Sequence, residues 1–160
     1  MEIVNIRIEE RLIHGQVATV WTQALKPNRI IVVDRDTSQN DLQKKVMRLA
    51  CPQGVKLSIF SPKRAVERLA EEPYGEERVF MLLKNPANLK ELFDLGFEIK
   101  TVNVGNMGGK PGAVEVKKGV CVTPEEASIF RELYAKGVRY TAKMVPSDPD
   151  VDFMSLIEKL

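Results

Sequence analysis

Short runs rich in β-branched and other apolar residues recur along the chain. Between them lie longer stretches in which apolar positions return every three or four residues. The short runs are Ile3–Ile8, Ile30–Asp34, Lys56–Phe60, Val79–Leu83, Thr101–Val104 and Arg139–Lys143. They predict strands. The first helical pattern covers Gly15–Leu25 and stops before Pro27, and the second covers Asn40–Ala50 and stops before Pro52. Three more helices announce their starts with a capping side chain followed by proline: Ser61-Pro62, Asn85-Pro86 and Thr123-Pro124-Glu125-Glu126. The Asn85 helix ends at Gly96 and the Thr123 helix near Gly137, both glycine stops. A short helix over Val151–Leu160 closes the chain. Val114–Val122 breaks the alternation with two extended pieces around Lys117-Lys118-Gly119, an antiparallel edge strand or a hairpin.

Strands alternating with helices predict βαβ units, and so an α/β fold: a single-domain open, mainly parallel twisted sheet with helices on both faces. No internal repeat, low-complexity stretch or linker divides the chain, so residues 1–160 form one domain. Open parallel sheets bind ligands beyond the carboxyl ends of their strands. The loops to inspect are therefore Glu9–Gly15, Arg35–Gln39, Ser61, Lys84-Asn85, Gly105–Gly112 and Val145–Asp148.

Composition narrows the picture mainly by exclusion. A hydrophobic fraction of 44% and a charged fraction of 29% over 160 residues suit one ordinary core. The net charge of +2 makes no case for nucleic acid or an anionic membrane. Cys51 and Cys121 form no C-x-x-C pair, and a single histidine leaves no zinc set. They are read as small buried residues in a reduced compartment. Met1-Glu2-Ile3-Val4-Asn5 opens directly on a strand pattern, with no signal peptide, and no long apolar run follows. The expected location is cytoplasmic, with no cofactor and no metal.

The loop after the first strand reads Arg7-Ile8-Glu9-Glu10-Arg11-Leu12-Ile13-His14-Gly15-Gln16 and holds that single histidine. His14 stands at a strand-to-helix junction, Gly15 leaves its backbone open to approach, and arginines precede it by three and seven positions. This set suits a phosphoryl group on imidazole. Neutral imidazole is a nucleophile. The phosphoryl group brings about two negative charges, which helix-start N–H groups and guanidinium forks can meet. Arg7 and Arg11 also have a structural alternative, pairing with Glu9, Glu10 or Asp34.

The other candidates are weaker. Gly105–Gly112 fails the P-loop pattern, because Val104 stands where the first glycine belongs and Pro111 follows Lys110. It is read as a flexible loop or, second, as one wall of the His14 pocket. Val17, Val20, Trp21 and Ala24 share a helical stripe, which makes Trp21 a core residue. Glu9 and Glu10 are read as loop charges, and Lys44-Lys45 and Lys117-Lys118 as solvated surface.

The motif Arg7–Val17 with Trp21 following resembles the signature loop of the B component (EIIB) of the mannose/fructose/sorbose class of the bacterial sugar phosphotransferase system. The resemblance continues through Ile30–Asp34, Lys84-Asn85-Pro86, Lys100–Met107 and Val145–Asp148, essentially the whole chain. The family usually has an aspartate pair where this chain has Glu9-Glu10. The resemblance implies a phosphohistidine–sugar phosphotransferase. Its A component (EIIA) would donate phosphoryl to Nδ1 of His14, and the acceptor would be a sugar held by the membrane EIIC and EIID components. Mannose, fructose, sorbose and amino sugars all fit that class. Carried over, Arg11 is a phosphate-stabilising catalytic partner of His14; the residue pattern itself adds Arg7, Gly15 and Gln16 as phosphate-binding candidates. The protein would be cytoplasmic and peripherally attached to the transporter. Two rivals are a nucleotide-binding module of the same architecture and a non-catalytic interaction protein with an incidental histidine.

Overall fold

A computed structural model describes residues 1–160. Strands β1 (Glu2–Glu9), β2 (Arg29–Val33), β3 (Lys56–Phe60), β4 (Arg78–Leu83) and β5 (Thr101–Asn106) belong to the main sheet. Next in the chain come β6 (Val114–Lys117) and β7 (Val120–Val122), and last β8 (Arg139–Thr141). The main sheet has the order β3-β2-β4-β1-β5-β8, and every pair in it is parallel. The expected fold class is the observed one. β6 and β7 pair antiparallel as a separate hairpin, joined to the end of β5 by a bridge between Met107 and Val120. This decides between the two readings of Val114–Val122.

The helices start where the capping residues stand. Ser61 accepts from the Arg64 N–H ahead of α4 (Pro62–Ala70), and Asn85 accepts from the Asn88 N–H ahead of α5 (Pro86–Asp94). Thr123 and Glu126 form a reciprocal capping box at α6 (Pro124–Ala135). Asn40 caps α3 (Asp41–Ala50). One short helix, α2 (Arg35–Ser38), was not anticipated. Asp34, expected as a strand end, is its buried cap: the carboxylate accepts from Thr37 N–H, Thr37 Oγ1 and Asn88 Nδ2. The closing helix α7 is shorter than expected, Phe153–Leu156, because Asp152 caps it from inside the predicted span.

The segment after β1 turns helical at Gly15, passes through a π-helical turn at Val17–Trp21, and ends as α1 (Thr22–Leu25). Such a turn is wider than an α-turn and shifts the inward face. The hydroxyls of Thr19 and Thr22 bond the carbonyls of Gly15 and Ala18 along this stretch. As a result Val17 and Trp21 point inward, but Val20 and Ala24 are exposed. Only half of the expected apolar stripe is realised.

The two faces of the sheet are unequal. On one face Ile6, Ile8, Ile31, Val33, Met81, Leu83, Val102 and Val104 pack in one cluster with residues of α4, α5, α6 and α7. On the other, Ile30, Val32, Phe80 and Leu82 pack with Leu12, Ile13, Val17, Trp21 and Met47. Side chains alternate along a strand, so this second face also carries Asn5, Arg7 and Glu9 of β1 and Thr101, Asn103 and Gly105 of β5. It is apolar over β2 and β4 and polar over β1 and β5. The site grows from the polar half.

Candidate active site

Glu9, the last residue of β1, is fully buried, against its expected role as a loop charge. Its Oε1 lies 3.1 Å from Arg7 Nη2, 3.3 Å from Arg7 Nε and 3.1 Å from His14 Nε2. Its Oε2 accepts the Arg11 backbone N–H at 3.3 Å. The chain then turns tightly: Leu12 N–H donates to Glu9 O at 2.9 Å, with Leu12 in the left-handed region at φ 55°. That conformation costs a non-glycine residue about 1–2 kcal/mol. Burial of the Leu12 side chain in the smaller core offsets it. The turn brings His14 back over the Glu9 carboxylate.

Arg7 is also fully buried. Besides Glu9, it donates from Nη1 to Lys143 O at 2.7 Å and from Nη2 to Met144 O at 3.2 Å. Its guanidinium lies 4.6 Å from the centroid of the Trp21 ring, whose Nε1 donates to the same Met144 carbonyl at 2.9 Å. Burial lowers the Arg7 pKa from its usual value, while Glu9 and then Asp148 oppose the shift. The guanidinium stays charged. Asp148 in turn accepts the backbone N–H groups of Met144 and Val145, which fixes the strap that carries those carbonyls. Arg7 therefore takes the structural alternative, a pair with Glu9. It lies below the open loop, and this corrects its placement as a direct phosphate ligand. Trp21 is a core residue, as expected, and also one wall of the arginine's enclosure.

The remaining candidates stand on the open side. Arg11 is exposed, and its guanidinium forms no ion pair or hydrogen bond. Gly15 is exposed with no atom within 4 Å of where a Cβ would sit, so packing does not require glycine there. The N–H groups of Gly15 and Gln16 meet no backbone acceptor, as expected at a helix start. The His14 side chain is 12% exposed. Its Nε2 is buried and, although within reach of Glu9, lies off the hydrogen-bond direction. The accessible ring nitrogen is therefore Nδ1.

The glycine-rich segment begins inside β5 and continues as an exposed loop over residues 109–112, tied down at Gly108. Gly105 belongs to β5, and a Cβ there would coincide with the Arg7 guanidinium. The Gly108 N–H donates to the Glu10 carboxylate, and Glu10 N–H donates to Asn106 O at 3.1 Å. This ties the segment against the His14 loop and occupies an amide that a nucleotide phosphate would need. The need for glycine at 105 could not be read from spacing, since it arises from an arginine 98 positions away in the chain. Gly105→Ala is expected to lower stability by about 1–3 kcal/mol through overpacking, and urea unfolding measures it. A change under about 0.5 kcal/mol would show that the Arg7 enclosure yields freely.

At the carboxyl edge of an open parallel sheet the loop thus holds one imidazole over a buried carboxylate, with an exposed guanidinium and unbonded helix-start amides in the same segment. The chain belongs to the sorbose subfamily of phosphotransferase-system IIB components, whose family profile matches residues 3–160. It is 35% identical to the sorbose-specific EIIB component of Klebsiella pneumoniae, over 99% of this chain and 97% of that one. The crystal structure of the IIBSor domain of the sorbose permease from the same organism superposes with a TM-score of 0.93, at 35% identity, covering 99% of this chain and 98% of that one. The mannose-specific EIIAB component of Escherichia coli strain K12 is 34% identical over all of this chain and 50% of its own length.

Proposed function

We propose that His14 takes a phosphoryl group from a phosphohistidine of an A component and passes it to a sugar bound by the membrane C and D components. The observation that carries this reading is the asymmetry of the ring. Nε2 is buried against Glu9, which leaves Nδ1 as the accessible nitrogen, in a loop that also carries the exposed Arg11 and the helix-start amides. The Nδ1 lone pair attacks phosphorus in line with the departing donor nitrogen. Arg11 and the N–H groups of Gly15 and Gln16 hold the equatorial oxygens. In the second step the sugar hydroxyl attacks and Nδ1 leaves. Transfer of this kind depends mainly on positioning and electrostatics. The base for the hydroxyl belongs to the transporter, as does the choice among mannose, fructose, sorbose and amino sugars. No helix is long and apolar enough to cross a membrane, which fits a cytoplasmic partner that docks on the transporter from outside the bilayer.

The test is chemical. After incubation with the general phosphotransferase proteins, an A component and labelled phosphoenolpyruvate, the label should be acid-labile and alkali-stable and should map to the peptide containing His14. Acid-stable label would sink the reading. The exposed Arg11 also predicts a charge-steered encounter with an acidic rim on the A component. Second-order transfer should slow as salt rises past about 0.1 M, where the screening length is about 10 Å. A rate indifferent to ionic strength would remove steering from the account.

A further inference from the structure

We infer that Glu9, held in place by Arg7, keeps the proton on Nε2 of phosphorylated His14 and thereby makes the ring able to give its phosphoryl group away. This rests on the proposed role of His14.

The electron count shows why the proton matters. Neutral His14 carries its hydrogen on Nε2 and a lone pair on Nδ1. When Nδ1 bonds to phosphorus, the donor's N–P bond breaks and the ring becomes a cation that still holds its Nε2 hydrogen. When the phosphoryl group leaves, the N–P electron pair returns to Nδ1 and a neutral imidazole results. The ring neither gains nor loses a proton in either step; the sugar hydroxyl gives its proton to the transporter's base. If the phosphorylated ring instead loses its Nε2 proton to water, its departure must generate an imidazolate anion, a far worse leaving group.

The site is arranged against that loss. Nε2 is buried, and the Glu9 carboxylate is the acceptor within reach, at 3.1 Å. The ring is off the bond direction in the unphosphorylated state, and such bonds commonly tighten only in the reacting state. A modest rotation of His14 aligns the pair. Glu9 is fully buried and accepts two bonds from Arg7, which orients its carboxylate. Arg7 is in turn fixed by the Lys143 and Met144 carbonyls and the Trp21 face. The other charged groups of the loop face elsewhere: the Glu10 carboxylate is occupied by the Gly108 N–H, and the Arg11 guanidinium is exposed. Glu9 does not touch the phosphoryl group. It is a positioning residue that acts through the ring.

The chain's single histidine makes the test unambiguous. Phosphorylate the full-length protein chemically with phosphoramidate, so that no partner is needed. Follow the ring nitrogens by 15N NMR from pH 6 to 10, beside a short phosphohistidine peptide. Nε2 of the phosphorylated protein should keep its proton to a pH about 1–3 units above the peptide, the range for a close opposite charge. Glu9→Gln should remove most of that difference, and onward transfer at pH 8 should fall at least tenfold. Glu9→Asp, which withdraws the carboxylate by one methylene, should lie between. If phospho-His14 never forms, the proposed function fails. If it forms and wild-type Nε2 titrates with the peptide, the role of Glu9 is overturned, whether or not either variant folds. A wild-type shift that survives unchanged in folded Glu9→Gln overturns it too.

Discussion

His14→Ala should take up no label from phosphoenolpyruvate through the general proteins and an A component, while its melting curve stays close to that of the wild type. The loss is expected to be total, since the chain has no second histidine. No other group of the loop can replace it: the Glu9 carboxylate is buried against Arg7, and Arg11 is a cation with no lone pair to offer. The fold should tolerate the change. The His14 ring accepts no hydrogen bond that the fold relies on, and Glu9 keeps its bonds to Arg7 and to the Arg11 N–H when the ring is gone. No buried charge is orphaned, which is the event that makes such substitutions costly. Labelling and a thermal melt on one preparation decide the matter. Wild-type labelling of His14→Ala would place the phosphoryl group elsewhere.

Arg11→Gln should slow phosphotransfer by about a hundredfold to a thousandfold, the usual cost of about 2.7–4 kcal/mol for removing one preorganised donor at a transition state. The guanidinium stands three residues before His14, exposed and without a partner in the unphosphorylated protein. A free fork of donors in the loop that carries the accessible ring nitrogen suits a dianionic phosphoryl group. Because Arg11 anchors the loop only through its backbone N–H to Glu9, the substitution should leave the melting temperature nearly unchanged. Arg11→Lys should recover part of the rate, keeping the charge but losing the fork. Single-turnover transfer to each variant is the measurement. A wild-type rate in Arg11→Gln would make Arg11 a spectator, and since Arg7 is buried, the helix-start amides would have to hold the phosphate alone. Unfolding of the variant would instead make Arg11 structural.

Much of this was legible in the chain. Strand and helix periods differ, and the paired caps Ser61-Pro62, Asn85-Pro86 and Thr123-Pro124 act within a few residues, so local sequence determined those elements and hence the parallel α/β class. The position of His14 followed from the same logic, since the first strand-to-helix junction of such a sheet lies at its ligand-binding edge. What spacing could not separate were residues of like chemistry. Arg7 and Arg11 both precede the histidine, yet one is at zero exposure and the other is free. Strand alternation puts Arg7 on the polar half of the second sheet face, where Gly105 leaves space and the Lys143 and Met144 carbonyls wait. Arg11 falls in the turn beyond the strand and reaches solvent. Glu9 and Glu10 divide the same way. One is buried beneath the imidazole, and the other closes the Gly108 amide onto the loop. Sequence by itself determined most of the elements, the fold class and the place of the single imidazole, because these depend on contacts between near neighbours in the chain. Only the tertiary structure decided which arginine is free, which acid faces the ring and why residue 105 has no side chain. Those outcomes depend on buried charges meeting partners up to 137 positions away, which no local pattern encodes.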